Sequence, residues 1–363
     1  MTNIIDLTSQ LISIPSWVDD QTNEIKVGEF IFDYLKSNTQ LSVEKEMVVD
    51  GRFNILAGFN QEIKTLVIGH IDTVGINAFW QTDPISPTVK DGKLFGRGAT
   101  DMKSGLAAML LATSSTDLPK NTAFLFYIDE EYDFAGVKQF MSDYGNKIKL
   151  TTIVSLDGSE LEIANGCRGL IEISASVKGL SCHAATPQNG VNAIEVATKS
   201  VEKLKEFLAE FIDPELGSTS VNLASIQGSG SASNVVPDNC QFVLDIRPSS
   251  PQINADLIIN QLTKSVQELG GQLTDPKIKF DFGSWLTPQA ELANLDLKFK
   301  QINNSGYIDI QMLWQIFNRP KCLTIGAGTQ KTAHASNEYV EINKLNQLPA
   351  ILLKIITNVT IKL

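Results

Sequence analysis

The chain holds three histidines in 363 residues, and each lies in a dense polar motif. His70 is in IGHIDTV, His183 in GLSCHAATP and His334 in TAHASNEYV. Histidine is the commonest metal ligand and a frequent acid–base or oxyanion-binding group. Carboxylates stand in similar settings: Asp72 beside His70, Asp101 in GRGATDMKSG, Glu130 and Glu131 in DEEYDFAG, and Asp157 in SLDGS. Imidazole and carboxylate together suit zinc, cobalt or manganese better than calcium or magnesium. Two histidines and three carboxylates are too many for one tetrahedral ion. They suit two cations that share a bridging carboxylate and a water. Such a pair, about 3.5–4 Å apart, makes hydroxide at neutral pH and polarises a carbonyl.

These residues must be positioned by regular elements. Residues 4–14 and 22–37 show helical spacing. TLVIG (65–69), AFLFYI (123–128), TTIVSL (151–156) and CLTIG (322–326) read as buried strands. MKSGLAAMLLATS (102–114), DFAGVKQFMSDYG and the segment from Asn343 read as helices. Strands alternating with helices imply an α/β layered domain. His70, Asp72, Glu130, Glu131 and Asp157 then follow strand ends, and His334 lies a short loop after one. Sites in open α/β sheets form there.

From about Gly169 the texture changes. LIEISASVKG alternates apolar and polar, residues 191–212 form a long amphipathic helix, and SVNLASIQG and NCQFVLDIRP read as strands. ADLIINQLTKSVQELGG is a second helix and KIKFDF a last strand. This is the split βαβ order of a ferredoxin-like unit. The fold expected is a mixed-sheet, three-layer α/β/α catalytic domain over residues 1–168 and 285–363. An α+β domain is inserted over residues 169–284.

Each motif also has a plainer reading. His70 suits a strand end, and Asp101 a glycine-rich turn that caps a helix. The Glu130–Glu131 run suits a solvated helix start, Asp157 a turn, and His334 the surface. His70 and Asp72, two apart on an extended segment, share a face, so Asp72 can hold the ring nitrogen that a metal leaves free. Glu130 and Glu131 point to opposite sides, so one can ligate while the other handles protons.

Composition narrows the function. A net charge of −11 argues against nucleic acid or an anionic membrane as partner. No run approaches the ~18 apolar residues of a membrane span, and the N-terminus lacks a basic region followed by a long apolar stretch. Cys167, Cys182, Cys240 and Cys322 form no C-x-x-C pair and read as free thiols in a reducing compartment. A cytoplasmic location is expected.

Taken in order, IGHIDTV, GRGATDMKSGLAAM, IDEEYDFAG, GLSCHAATPQNGVNAI, SNVVPD and AHASNEYV resemble one family. It is the dizinc amidohydrolase and exopeptidase family of acetylornithine deacetylase, succinyl-diaminopimelate desuccinylase, aminoacylase and carboxypeptidase G. The resemblance spans residues 65–345. It implies two divalent ions, zinc first with cobalt or manganese as alternatives. His70 and Asp157 would hold one ion, Glu131 and His334 the other, and Asp101 would bridge them. Glu130 would be the general base, and Asp72 would orient His70. The insert would be a lid and homodimerisation domain whose His183 reaches the partner subunit's site to stabilise the oxyanion. Arg168 in GCRG, Asn234 in SNVVPD and Arg247 in LDIRP would bind substrate, and an arginine suits bidentate capture of a carboxylate.

The sequence departs from the family pattern in places. Asp157-Gly158-Ser159 stands where many members have Glu-Pro-Ser/Thr, with Glu160 and Glu162 close by. Gly326-Ala327-Gly328 replaces Gly-Pro-Gly, and Cys167 stands where desuccinylases commonly have arginine. The expected activity is hydrolysis of the amide of an N-acyl amino acid. A di- or tripeptidase or carboxypeptidase is the alternative, and a non-catalytic binding protein on this scaffold is a third reading.

Overall fold

The strand Thr65–His70 is buried at all positions, as an apolar run covered on both faces must be. In the computed structural model, which describes residues 3–302 and 309–360, it pairs in parallel with Thr122–Tyr127 and Thr152–Ser155. Lys321–Thr324 extends the parallel part beyond Thr152–Ser155. On the other side an antiparallel hairpin, Val43–Val49 and Arg52–Ala57, joins Thr122–Tyr127. The sheet is mixed, as expected.

Side chains alternate across it. Val67, Phe124, Phe126, Val154 and Leu323 share one core with the helices Ile4–Ile12, Ile25–Asn38, Lys103–Thr113 and Ile342–Thr360. Lys103–Thr113 is buried at every position except Leu111, the mark of a helix inside its layer rather than on its surface. On the opposite face Phe140, from helix Ala135–Tyr144, stacks with Tyr144 at 5.0 Å and meets Phe317 at 6.0 Å. Helices on both faces make the three layers.

The second unit has the inserted-domain order. Its sheet runs Ser220–Gly228, Asn239–Arg247, Leu170–Lys178, Gln272–Phe282, with all neighbours antiparallel. Helices Ala193–Leu208 and Ala255–Glu268 lay Val201, Leu204, Ile258 and Leu262 on Ile171, Ile173, Phe242 and Leu244. Asn192 and Asn254 cap them by accepting backbone N–H groups of the first turn. This is the ferredoxin-like arrangement.

Several details differ from the sequence reading. The two units are Met1–Asn165, Thr287–Lys300 and Met312–Leu363, against Gly166–Leu286 and Gln301–Gln311. The insert is therefore wider than residues 169–284, because Gly166–Cys167 pairs with Trp285–Leu286 and closes its base. The return segment also differs, since Gln311 donates to the carbonyls of Arg168 (2.6 Å) and Gly283 (3.2 Å) inside the second unit. The last insert strand starts at Gln272, well before KIKFDF. The hairpin Val43–Ala57 was not foreseen, because VEKEMVV mixes charges with apolar residues and its burial does not alternate from one residue to the next. The four cysteines are free thiols. Among the described residues no helix is long and apolar enough to cross a membrane.

Candidate metal centre

The site is built at the carboxyl ends of the central strands. His70 closes Thr65–His70 and is fully buried. Its Nδ1 donates to the Asp72 carbonyl at 3.1 Å, with Asp72 Oδ1 3.4 Å away. That bond fixes the tautomer and leaves Nε2, which lies 3.0 Å from Asp101 Oδ1. The other Asp101 oxygen, Oδ2, lies 3.1 Å from His334 Nε2. Glu131 Oε1 is 2.8 Å from the same His334 nitrogen. One carboxylate thus presents each of its oxygens to a different imidazole. Donor atoms of His70, Asp101 and Glu131 all lie within 4.8 Å of one another.

Asp72 does more than face a ring. Its Oδ1 and Oδ2 accept the backbone N–H groups of Glu130 (3.1 Å) and Glu131 (2.9 Å). Just before them, Asp129 takes a left-handed backbone (φ 69°) and binds Arg52 Nη1 at 2.8 Å. The side chains of Glu130 and Asp157 are half-buried. Asp157 follows Thr152–Ser155 and donates its N–H to Ser155 Oγ at 3.3 Å. It is outside the group of three converging donors.

Charge explains the site's protonation. Burial opposes charging of His70, but Asp101 and Asp72 outweigh it and raise its pKa well above the ordinary value. Hydrogen bonds to Asp101 and Glu131 push His334 up to about 10. Burial pushes Asp101 up, but the two imidazoles win and hold it well below the usual carboxylate range. The carboxylates therefore call for positive charge at two points, each between an imidazole nitrogen and an oxygen of Asp101. Two divalent cations satisfy the same demand with neutral imidazoles. The donor set, nitrogen with carboxylate oxygen, fits zinc, cobalt or manganese.

In the second unit the motifs of His183 and Asn234 are joined. Ala184 N–H donates to the Asn234 carbonyl at 2.8 Å, and Val236 N–H to the Cys182 carbonyl at 2.9 Å. Both side chains are exposed. His183 Nδ1 accepts the Ala185 N–H at 3.0 Å, so the neutral ring carries its proton on Nε2. Arg247 is bidentate to Asp245, at 2.8 and 3.0 Å. Among the described residues Arg168 Nη1 donates to the Ser218 carbonyl at 3.4 Å.

Sequence reasoning missed two charged residues here. Arg97 and Glu338 are 2% and 1% exposed and pair at 2.7 Å. Both lie inside the quoted motifs, and the signal was a charge among glycines in GRG and a second acid after a histidine. Lys103 was missed too. It is buried with Nζ donating to the Ile14 carbonyl at 2.7 Å, and that burial lowers its pKa to about 7.

Residues 66–358 match the Peptidase family M20/M25/M40. The chain belongs to this family. Acetylornithine deacetylase of Buchnera aphidicola is 26% identical to this M20 protein over 98% of both chains. A probable carboxypeptidase of Aspergillus clavatus is 30% identical over 77% of this chain and 69% of its own length. Among solved structures, a dinuclear metal-binding peptidase of Bacillus subtilis shares the fold, with a TM-score of 0.67 and 15% identity. Coverage there is 98% of this chain and 97% of that one. This M20 protein is accordingly a metallo-hydrolase, and its candidate centre lies at the carboxyl ends of the parallel strands.

Proposed function

We propose that the protein hydrolyses the amide of an N-acyl amino acid, releasing a short carboxylate and a free amino acid. The observation that carries this reading is the Asp101 carboxylate, placed between His70 Nε2 and His334 Nε2 at 3.0 and 3.1 Å. That is the geometry required of a bridging ligand in a two-ion centre. We assign His70 and Asp157 to one ion, Glu131 and His334 to the other, and zinc as the metal, with cobalt or manganese able to replace it. When bound, the ions supply a water of lowered pKa and a Lewis acid for the amide carbonyl.

The residues do the rest. Glu130 takes a proton from the attacking water and delivers it to the leaving nitrogen, so the amide becomes a carboxylate and an amine. Asp72 fixes the tautomer side of His70 and the backbone of Glu130 and Glu131. His183 of a partner subunit donates from Nε2 to the oxyanion, in a homodimer formed through the second unit. Of the substrate-binding candidates Arg168, Asn234 and Arg247, Arg168 is the better carboxylate anchor. Two nitrogens of Arg247 are already committed to Asp245. A cytoplasmic location accords with four free thiols.

The full-length match to a deacetylase supports the deacylase reading. Similarity to a probable carboxypeptidase gives the peptidase reading its support. A panel of N-acetyl amino acids and dipeptides, assayed on zinc- or cobalt-loaded protein, separates the two. Turnover of N-acetyl amino acids alone is expected. Turnover of dipeptides alone would overturn the deacylase reading.

A further inference from the structure

The Glu338 carboxylate is buried to 1% exposure, and four donors meet it. Oε2 accepts Arg97 Nη1 at 2.7 Å and the Gly98 N–H at 3.0 Å. Oε1 accepts the N–H groups of Thr100 and Asp101 at 2.8 and 3.0 Å. The glycine-rich loop before Asp101 is thus wrapped round one anion, with its amides pointing inward. Gly98 has φ +84°, and a Cβ there would meet Lys103 and Thr73 side chains at 2.8–3.0 Å. Only glycine follows this path comfortably.

Arg97 extends the clamp. It donates to the Ala335 carbonyl at 3.3 Å and, through Nη2, to Asn77 Oδ1 at 3.1 Å. Asn77 Nδ2 in turn donates to the His334 carbonyl at 3.0 Å. His334 itself has a left-handed backbone, φ 61°. One buried ion pair therefore ties together the loop of Asp101, the loop of His334 and the segment around Asn77. Both Glu338 oxygens are taken up by Arg97 and by loop amides. The pair acts on these peptide groups.

We infer that Glu338, with Arg97, is a positioning residue for the metal centre: it sets the backbone of Asp101 and His334 so that the bridging carboxylate meets both imidazoles. This rests on the two-ion reading above and adds to it a residue that binds no ion and touches no substrate. A buried carboxylate with this many charged or N–H partners is costly to build, because desolvation offsets much of the pairing. Apolar packing would give stability more simply, and what the anion adds is a fixed direction for the loop amides of Gly98, Thr100 and Asp101. Groups that hold metal ligands in this way typically change metal affinity about 10–100-fold when altered.

The test is a titration of metal-stripped protein with cobalt(II), read by the cobalt visible spectrum and by calorimetry. Wild type, Glu338→Gln, Glu338→Asp and the double variant Arg97→Met/Glu338→Gln are compared, with circular dichroism and thermal unfolding measured on each. Gln cannot accept four donors, and Asp keeps the charge but is shorter. The double variant removes both charges, so it recovers stability lost to an unpaired Arg97. The expected result is two cobalt ions bound by wild type and at least a tenfold loss of affinity in every folded variant. In the double variant that loss persists although stability returns, which a merely structural role would not produce. Wild-type affinity in any folded variant, or affinity that returns with stability in the double variant, overturns the inference. Should Glu338→Gln not fold, Glu338→Asp and the double variant carry the same comparison. Wild type that binds no more than one ion would overturn the two-ion reading itself, a different failure from unchanged affinity in the variants.

Discussion

The backbone N–H of Glu131 donates to Asp72 Oδ2 at 2.9 Å. Through this bond the end of one parallel strand fixes the loop that follows its neighbour. The His70 side of the centre and the Glu130–Glu131 side are therefore tied through Asp72. Asp72→Asn would place an amide NH2 against one of two N–H donors. The expected outcome is a kcat lower by about 10–100-fold with the fold retained, checked by steady-state kinetics and circular dichroism.

Metal removal follows from the donor set. Dialysis against a chelator is expected to abolish activity, and zinc or cobalt to restore it. Magnesium and calcium, which prefer all-oxygen sites, are expected to restore little. Elemental analysis of the stripped and reloaded protein checks the result.

The proposed trans role of His183 predicts a specific outcome for mixed dimers. Glu130→Gln and His183→Ala homodimers should each be nearly inactive. After subunit exchange, half of the sites in a mixed dimer combine an intact Glu130 with an intact His183 from the other chain. Activity should then reappear, up to about a quarter of wild type when mixing is statistical. If His183 acts within its own chain, mixing restores nothing.

Glu46 links stability to pH away from the site. Burial raises its carboxyl to about 7, against a hydrogen bond from Asn54 (2.6 Å) that lowers it. A folded-state value above the ordinary 4.5 means that the protonated form stabilises the fold. The contribution is full below about pH 4.5 and is lost as pH rises through about 7. Glu46→Gln is expected to flatten the fall in denaturation midpoint between pH 5 and 8. Glu24, which its own burial raises to about 7, keeps part of the slope. An unchanged slope in the variant would contradict this.

The sequence displayed what the chemistry needs at strand ends and concealed what holds it there. TLVIGH, AFLFYI and TTIVSL are apolar because both faces are covered, so the polar residues after them stand out. The ferredoxin-like order was legible for a related reason, since its strands alternate and its helices are amphipathic. Arg97 and Glu338 left only a weak signal, because a charge buried against a partner about 240 residues away looks in sequence like a surface charge. That the two oxygens of Asp101 face different histidines has no sequence signature, because bridging is a property of geometry. Asp72 was expected to orient His70, and its larger task of holding two backbone amides had no local signal.

We propose a two-ion centre served by Glu130 as general base. Its most direct test is Glu130→Gln, with metal content and turnover measured on the same sample. Two ions per chain, as in wild type, and turnover lower by about 10²–10⁴-fold are expected. Two bound ions with wild-type turnover would contradict it.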